Sequence, residues 1–308
     1  MRAYSVILLF CGIQLGIPSL NAQSINGWTP ELAMQVKRIG GVVPSPDGRL
    51  VVYQVGTAIM DEETSEWRTQ LHLARADGSG SRQLTRGEHS ATAPSWSPDG
   101  KLIAFLSPRT DKSNIWVIPV DGGEAEQVTD SRESVGSFQW SPNGQRIAFT
   151  MVDPQTDEEV RRVQEHDDAW VVDGNPKMTR LYVVDIDANS EERVGQVLTS
   201  GDFSVANGFD WSPNGQQIVF SHVPAPGANV SYAQGDISKV EVNTGELIPL
   251  IGSGARESSP KFSPDGRWIA FLKSDDPVTW GFTSRVHLIA QDGSSETALG
   301  RTFDEQPG

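Results

Sequence analysis

Short apolar runs return along this chain at near-regular intervals, each introduced by the same polar turn. The runs are Leu50-Val51-Val52-Tyr53, Leu102-Ile103-Ala104-Phe105, Ile147-Ala148-Phe149, Ile218-Val219-Phe220 and Trp268-Ile269-Ala270-Phe271. Their turns are Ser45-Pro46-Asp47-Gly48, Ser97-Pro98-Asp99-Gly100, Ser141-Pro142-Asn143-Gly144, Ser212-Pro213-Asn214-Gly215 and Ser263-Pro264-Asp265-Gly266. Serine opens a type I turn and proline presets φ at the second position. Asp or Asn suits the third, and glycine takes the left-handed fourth. Successive repeat serines stand 52, 44, 71 and 51 residues apart. The residues before them are Pro44, Trp96, Trp140, Trp211 and Phe262. β-branched and aromatic residues on both sides of such a turn predict a pair of packed strands.

A second alternating run follows each pair: Leu71-His72-Leu73, Ile115-Trp116-Val117, Leu181-Tyr182-Val183, Ile237-Ser238-Lys239-Val240 and Val286-His287-Leu288. A turn such as Asp77-Gly78 or Asp121-Gly122 comes next, and then a short closing segment such as Gln83-Leu84-Thr85 or Gln127-Val128-Thr129. Four short strands per unit of forty to fifty residues is the pattern of propeller blades. The expected fold is therefore all-β, a β-propeller of five four-stranded blades forming an incomplete ring. The expected divisions are a signal peptide over 1–22, a lead-in over 23–38, the propeller over 39–300 and a tail over 301–308. The first strand is placed near Ile39 to Val43.

The longest interval holds an insertion at about 151–177. Within it, Asp157-Glu158-Glu159-Val160-Arg161-Arg162-Val163-Gln164-Glu165 places acids first and bases later, which suits a short helix and its dipole. A loop inserted in one blade is a common place for ligand contacts. The simpler reading is a solvated surface helix that caps the blade.

Composition changes the picture at the N-terminus and in the charge. Arg2 precedes an apolar run from Val6 to Ile17, and Pro18, Ser19, Leu20 and Asn21 lead to the small residue Ala22. That pattern reads as a secretory signal peptide cut after Ala22, too short for a stable membrane span. Cys11 is the sole cysteine and lies inside this segment, so disulfides and thiolate metal sites are not expected. The formal net charge of -15 argues against nucleic acid as a partner.

Catalytic signatures are sparse. No serine has glycine two before and two after it, and no phosphate loop or His-Glu-x-x-His motif occurs. No catalytic residue and no cofactor or metal is expected on this chain. His72 and His287 share a column with Trp116 and Tyr182, which reads as packing. His89 and His222 are read as isolated at strand edges, and His166 beside Asp167 and Asp168 is a weak metal or acid–base candidate. Asp275-Asp276 reads as a loop rather than a catalytic carboxylate pair. Asn229-Val230-Ser231 matches a glycosylation acceptor, relevant only in a eukaryotic secretory path.

The Trp-Ser-Pro-Asp-Gly-Lys-x-Ile-Ala-Phe phrase resembles the repeat of TolB-type propellers. The same repeat builds the N-terminal propeller of prolyl oligopeptidase family serine peptidases, including acylaminoacyl and dipeptidyl peptidases. The early start of the blades and the run Asp167-Asp168-Ala169-Trp170-Val171-Val172-Asp173-Gly174 resemble the acylaminoacyl-peptidase-like branch. The resemblance implies an exported, periplasmic or extracellular, non-catalytic propeller that admits short peptides to a following hydrolase domain. In the dipeptidyl peptidase relatives, glutamates on a propeller segment hold the substrate's free amino group. Glu158, Glu159 and Glu165 are the candidates here, although no motif match assigns the role to any one of them. The chain departs from the family in carrying neither the Ser, Asp and His triad nor the usual seven or eight blades, which implies a fragment or truncated product. The alternative is a stand-alone TolB-like periplasmic propeller for protein partners. In both readings no membrane contact is expected beyond the signal peptide. A sugar-acting propeller enzyme, the third reading, would need convergent acids around the channel.

Overall fold

A computed structural model describes residues 27–61, 63–166, 176–186, 193, 195–279, 281 and 283–299. The chain divides into two compact units, Met1–Val36 and Lys37–Gly308. In the first, α1 (Pro30–Gln35) starts at Thr29, whose Oγ1 accepts a hydrogen bond from Leu32 N at 3.2 Å, with proline in the first turn. The signal peptide expected over 1–22 and the tail over 301–308 lie outside the described residues.

Among its described residues the second unit is all-β apart from two short helices. Its strands form five four-stranded antiparallel sheets. The first holds β1 (Arg38–Pro44), β2 (Leu50–Met60), β3 (Ser65–Arg75) and β4 (Arg82–Gln83). The second holds β5 (Thr92–Trp96), β6 (Leu102–Thr110), β7 (Lys112–Pro119) and β8 (Glu126–Gln127). The third holds β9 (Val135–Trp140), β10 (Arg146–Val152), β11 (Thr179–Asp185) and β12 (Gln196–Val197), with α2 (Asp157–Gln164) between its middle strands. The fourth holds β13 (Ser204–Trp211), β14 (Gln217–Val223), β15 (Asp236–Glu241) and β16 (Leu247–Ile251), with α3 (Ala228–Ala233) before β15. The fifth holds β17 (Glu257–Phe262), β18 (Trp268–Lys273), β19 (Arg285–Ala290) and β20 (Glu296–Ala298). Strand order follows chain order in every sheet, so each is a meander.

The repeated turn adopts the geometry its residues dictate. In the second sheet, Gly100 N donates to Ser97 O at 2.9 Å with glycine at φ 72°. The Asp99 carboxylate accepts from Ser97 Oγ at 2.7 Å and from Lys101 N at 3.1 Å. Ser97 Oγ in turn accepts from Leu102 N at 2.9 Å and so ties the turn to the strand that leaves it. The same contacts recur around Ser45, Ser141, Ser212 and Ser263.

Alternation along the second strand builds the core. Ile103 and Phe105 pack back onto Val52, Leu71 and Leu73 of the first sheet. Ala104 and Leu106, one residue out of phase, meet Ile147 and Phe149 of the third. Ala148, Leu181 and Val183 then meet Ile218 and Phe220, and Val219 and Ile237 meet Ile269 and Phe271. Period-two alternation therefore gives each internal sheet two buried faces. These contacts run from each sheet to the next, and none of comparable extent joins the fifth sheet to the first among the described residues.

The tryptophans before the turns add directional bonds between sheets. Trp96 Nε1 donates to Val43 O at 3.0 Å, Trp140 Nε1 to Ser95 O at 3.2 Å, and Trp211 Nε1 to Gln139 O at 3.3 Å. In the fifth sheet Phe262 has no such donor. There the Asp210 carboxylate bridges the sheets, taking Phe262 N at 2.9 Å and Lys261 Nζ at 2.9 Å.

Two expectations are refined. The closing strands of the first three sheets are shorter than the sequence segments, because the threonines turn out of the ladder. Thr129 Oγ1 accepts from Ile115 N at 3.0 Å and donates to Asn114 Oδ1 at 2.9 Å, and Thr85 does the same for Leu71 and Gln70. His222 is not an isolated edge residue. It lies within β14, where its ring packs 4.8 Å from Phe203 and its Nε2 is 2.9 Å from Ser238 Oγ.

Candidate functional site

Antiparallel pairing sorts the connections between two ends of the sheets. The serine-proline turns join first to second strands at one end. The connections from second to third strands, and from each sheet to the next, gather at the other. That second end carries the segment between β10 and β11 with α2, the segment between β14 and β15 with α3, and residues 274–284 after β18. Loops carried on a rigid scaffold are where ligand contacts concentrate.

Local chemistry fixes α2. Thr156 Oγ1 accepts from Glu159 N at 3.3 Å while the Glu159 carboxylate accepts from Thr156 N at 2.6 Å, a complete capping box. Glu159 also pairs with Lys177 at 2.6 Å across the base of the insertion. That bond with Lys177, joined by the backbone bond from Thr156, brings the Glu159 carboxyl down to about 2. Glu158 pairs with Arg161 at 2.6 Å. Glu165 caps the C-terminus of the helix and is exposed. The three candidate glutamates thus share one helix, and two of them have cationic partners within the insertion. Arg180 anchors the returning strand through Asp153 at 3.0 Å and the carbonyls of Gly201 and Phe203, each at 2.8 Å.

Beneath this insertion a cleft of about 360 Å³ opens between the third and fourth sheets. Gly136, Ser137, Thr150, Met151, Val205 and Phe209 line it, among others, and no lining residue is charged. Two irregularities shape it. The β9–β10 register shifts between Phe149 and Met151, and the β13–β14 register shifts between Val205 and Phe209. Two of its hydroxyls are engaged within the wall: Thr150 Oγ1 accepts from Ser137 N at 3.0 Å and lies 3.0 Å from Ser137 Oγ. Such a wall suits an uncharged group and penalises a charged one. Sequence reasoning missed the cleft, since its walls come from two sheets and its shape from their bulges.

The remaining candidates fall away from this cleft. His72 and His287 lie in register with Tyr53 and Phe271, at ring distances of 5.5 and 5.6 Å, as Tyr182 does with Phe149 at 5.3 Å. That column is packing. His166 is exposed, and its neighbours Asp167 and Asp168 lie outside the described residues. Among the described residues, no group of three or more His, Cys, Asp or Glu is placed to hold a metal. Asp275 sits in the loop after β18 and pairs with Arg285 at 3.2 Å.

One acid was not singled out from the sequence. Glu257 opens β17 with its side chain fully buried. Its Oε1 accepts from Ser253 Oγ and lies 3.6 Å from Lys273 Nζ, while its Oε2 has no partner. Burial raises its carboxyl above the ordinary value of 4.5. The repeat contained the signal, because the residues six before each repeat serine are Ile39, Ala91, Val135, Ala206 and Glu257.

Residues 43–177 match the TolB beta propeller domain, PD40. The chain is built of TolB-type propeller repeats. Across 99% of its length it is 28% identical to dipeptidyl-peptidase 5 of Porphyromonas gingivalis, and it spans 46% of that protein. An uncharacterized peptidase of Bacillus subtilis, YuxL, is 27% identical over 74% of the chain, which spans 28% of that relative. The chain thus covers less than half the length of these curated relatives. Among solved structures, a Pyrococcus horikoshii acylaminoacyl peptidase superposes with a TM-score of 0.62 at 18% identity, covering 89% of this chain and 41% of that one. A putative TolB from Agrobacterium tumefaciens gives 0.54 at 22%, covering 86% of this chain and 81% of that one. These likenesses support the propeller fold. Sequence similarity to a peptidase thus runs along this TolB-type propeller, and the solved peptidase structure shares its fold. No helix among its described residues is long and apolar enough to cross a membrane.

Proposed function

We propose that this chain is the substrate-gating, non-catalytic propeller region of an exported serine peptidase of the prolyl oligopeptidase type, acting on short peptides. One observation carries the reading: the similarity to dipeptidyl-peptidase 5 runs over 99% of this chain yet occupies 46% of the relative. Hydrolysis would belong to a domain that is not among these 308 residues. The loops at the insertion end would border the peptide's route, with Glu158, Glu159 and Glu165 as acidic groups for a peptide amine. Glu165 is best suited to that role, because the other two carboxylates already have partners. The apolar run from Val6 to Ile17 supports export.

A second reading, a stand-alone TolB-like periplasmic propeller that binds protein partners, is supported by the 81% of the Agrobacterium TolB chain that this chain covers. One experiment separates the two. An extract of the source organism is labelled with a fluorophosphonate, which captures activated serines, and this chain is detected with an antibody. A labelled band at roughly twice 33.5 kDa supports the peptidase. An unlabelled band near 33.5 kDa refutes it and leaves the binding propeller.

A further inference from the structure

We propose that Glu257 is a proton-operated latch that holds the junction between the fourth and fifth sheets closed when protonated and loosens it when ionised. This device stands apart from the peptidase reading. It rests on a departure from the repeat, on burial and on the convergence of three segments.

The position six before the repeat serine is apolar in the four preceding sheets, and a carboxyl replaces it only here. Nothing in the propeller architecture requires an acid at that place. Around it meet the connection 252–256, the α3 segment and the residues after β18. Glu257 N donates to Gly235 O at 2.8 Å, and Gly235 bridges to Arg256. Arg256 N donates to Ser274 Oγ at 2.9 Å, and Arg256 Nε to Ser231 O at 2.9 Å. The Glu257 side chain closes the set by taking Ser253 Oγ from the connection itself.

The charged groups facing Glu257 come from each element packed on it. Asp236 at the start of β15 repels its anion, and Lys273 at the end of β18 attracts it. Lys273 is shared with Glu296 of β20 at 3.0 Å, and Glu296 is held by His287 of β19 at 2.8 Å. Asp276 lies against Gly254, and Asp275 is occupied by Arg285. Lys273, 3.6 Å from Glu257, is therefore already pulled toward another carboxylate.

A neutral acid fits this pocket, whereas an anion leaves Oε2 charged, buried and unpaired. The least costly response to ionisation is for 252–256 to lift and admit water. The direction follows from linkage. Burial raises the folded-state carboxyl above 4.5, so the latch contributes fully below that value and weakens as pH rises toward the folded-state titration.

The test uses the full chain, carrying carboxyl-¹³C glutamate, with hydrogen exchange followed by mass spectrometry and corrected for intrinsic rates. The Glu257 carboxyl is expected to titrate above the ordinary range. Protection of 252–257 should fall by up to about tenfold per pH unit between about pH 5 and that titration, then level off. Glu257→Gln should keep the segment protected across the range. Asp236→Asn should move the carboxyl titration to lower pH, and it decides the matter even if Glu257→Gln fails to fold. An ordinary Glu257 titration, or protection unchanged with pH, would overturn the proposal. So would a pH dependence that survives in Glu257→Gln or vanishes in His287→Gln.

Discussion

Trp140→Phe tests whether the repeat tryptophans hold neighbouring sheets by a directional bond or merely fill space. Trp140 is 8% exposed and sits in the cluster shared by the second and third sheets. Its Nε1 donates to Ser95 O at 3.2 Å. Phenylalanine keeps one ring and loses the donor. A buried carbonyl deprived of its partner costs about 1–2 kcal/mol. Some 40 Å² of lost apolar burial adds about 1 kcal/mol at the usual area coefficient. The expected destabilisation is therefore about 2–3 kcal/mol, read as a lower midpoint in urea with an unchanged slope, followed by far-ultraviolet circular dichroism. Trp67→Phe is the control. Trp67 lies partly exposed in β3 beneath the Arg38 guanidinium, 3.6 Å from the ring, and its indole donates to no neighbouring sheet among the described residues. Its replacement should cost no more than about 1 kcal/mol. Equal shifts for the two variants, or a Trp140→Phe shift under about 0.5 kcal/mol, would refute the bonding role and leave shape alone as the reason for tryptophan.

Three further outcomes are expected. Thr129→Val removes a buried hydroxyl that serves Ile115 N and Asn114 Oδ1, and should destabilise by about 1–3 kcal/mol in the same urea assay, with Asn114 left short of a donor. Glu159→Gln should speed amide exchange over 157–165, because it weakens both the capping box and the Lys177 pair. In the wild type that support is present above 4.5 and disappears as pH falls toward about 2. His222 is held below 6.5 chiefly by burial, so its contribution to stability is present above that value and declines as pH falls through it. His222→Gln should flatten the change in urea midpoint between about pH 7.5 and about pH 5.5, and an unflattened profile would remove His222 from the account.

The parts of this fold that could be read from the sequence are those whose geometry is decided within a few residues. Ser-Pro-Asp-Gly specifies its own turn, since the Asp carboxylate, the Ser hydroxyl and the left-handed glycine all act inside one loop. Alternation on either side then assigns each side chain to one neighbour or the other, which is why Ile103 and Phe105 part company with Ala104 and Leu106. The helix in the insertion was legible for the same reason, through the acid-to-base order from Asp157 onward, and the structure adds the Thr156 cap. The cleft beside Thr150 was not. It depends on where two inner strands slip register, which shows only once each is paired with its neighbour, although Gly208 at φ 106° marks the slip within β13.

Glu257 falls between these cases, and it shows what a repeat can reveal beyond architecture. An aligned column defines what the fold needs at a place, so a residue that departs from the column and is still buried requires a different explanation. Phe262 departs from the tryptophan column in the same sheet, and there Asp210 supplies the lost bridge to Lys261 and Phe262 N. Glu257 has no comparable compensation: one oxygen is unpartnered and the nearest cation is shared with Glu296. The two substitutions lie at opposite ends of one strand, Glu257 at the insertion end beside α3 and the residues after β18, and Phe262 at the turn end. The junction of the fourth and fifth sheets therefore adds a charged bridge and a proton-binding group to the apolar packing of Val219 and Ile237 on Ile269 and Phe271, whereas indole bonds accompany the apolar packing between the first four. Charge-based contacts respond to pH and salt and apolar ones largely do not. If the propeller has a place built to loosen, its chemistry puts that place between β13 and β17.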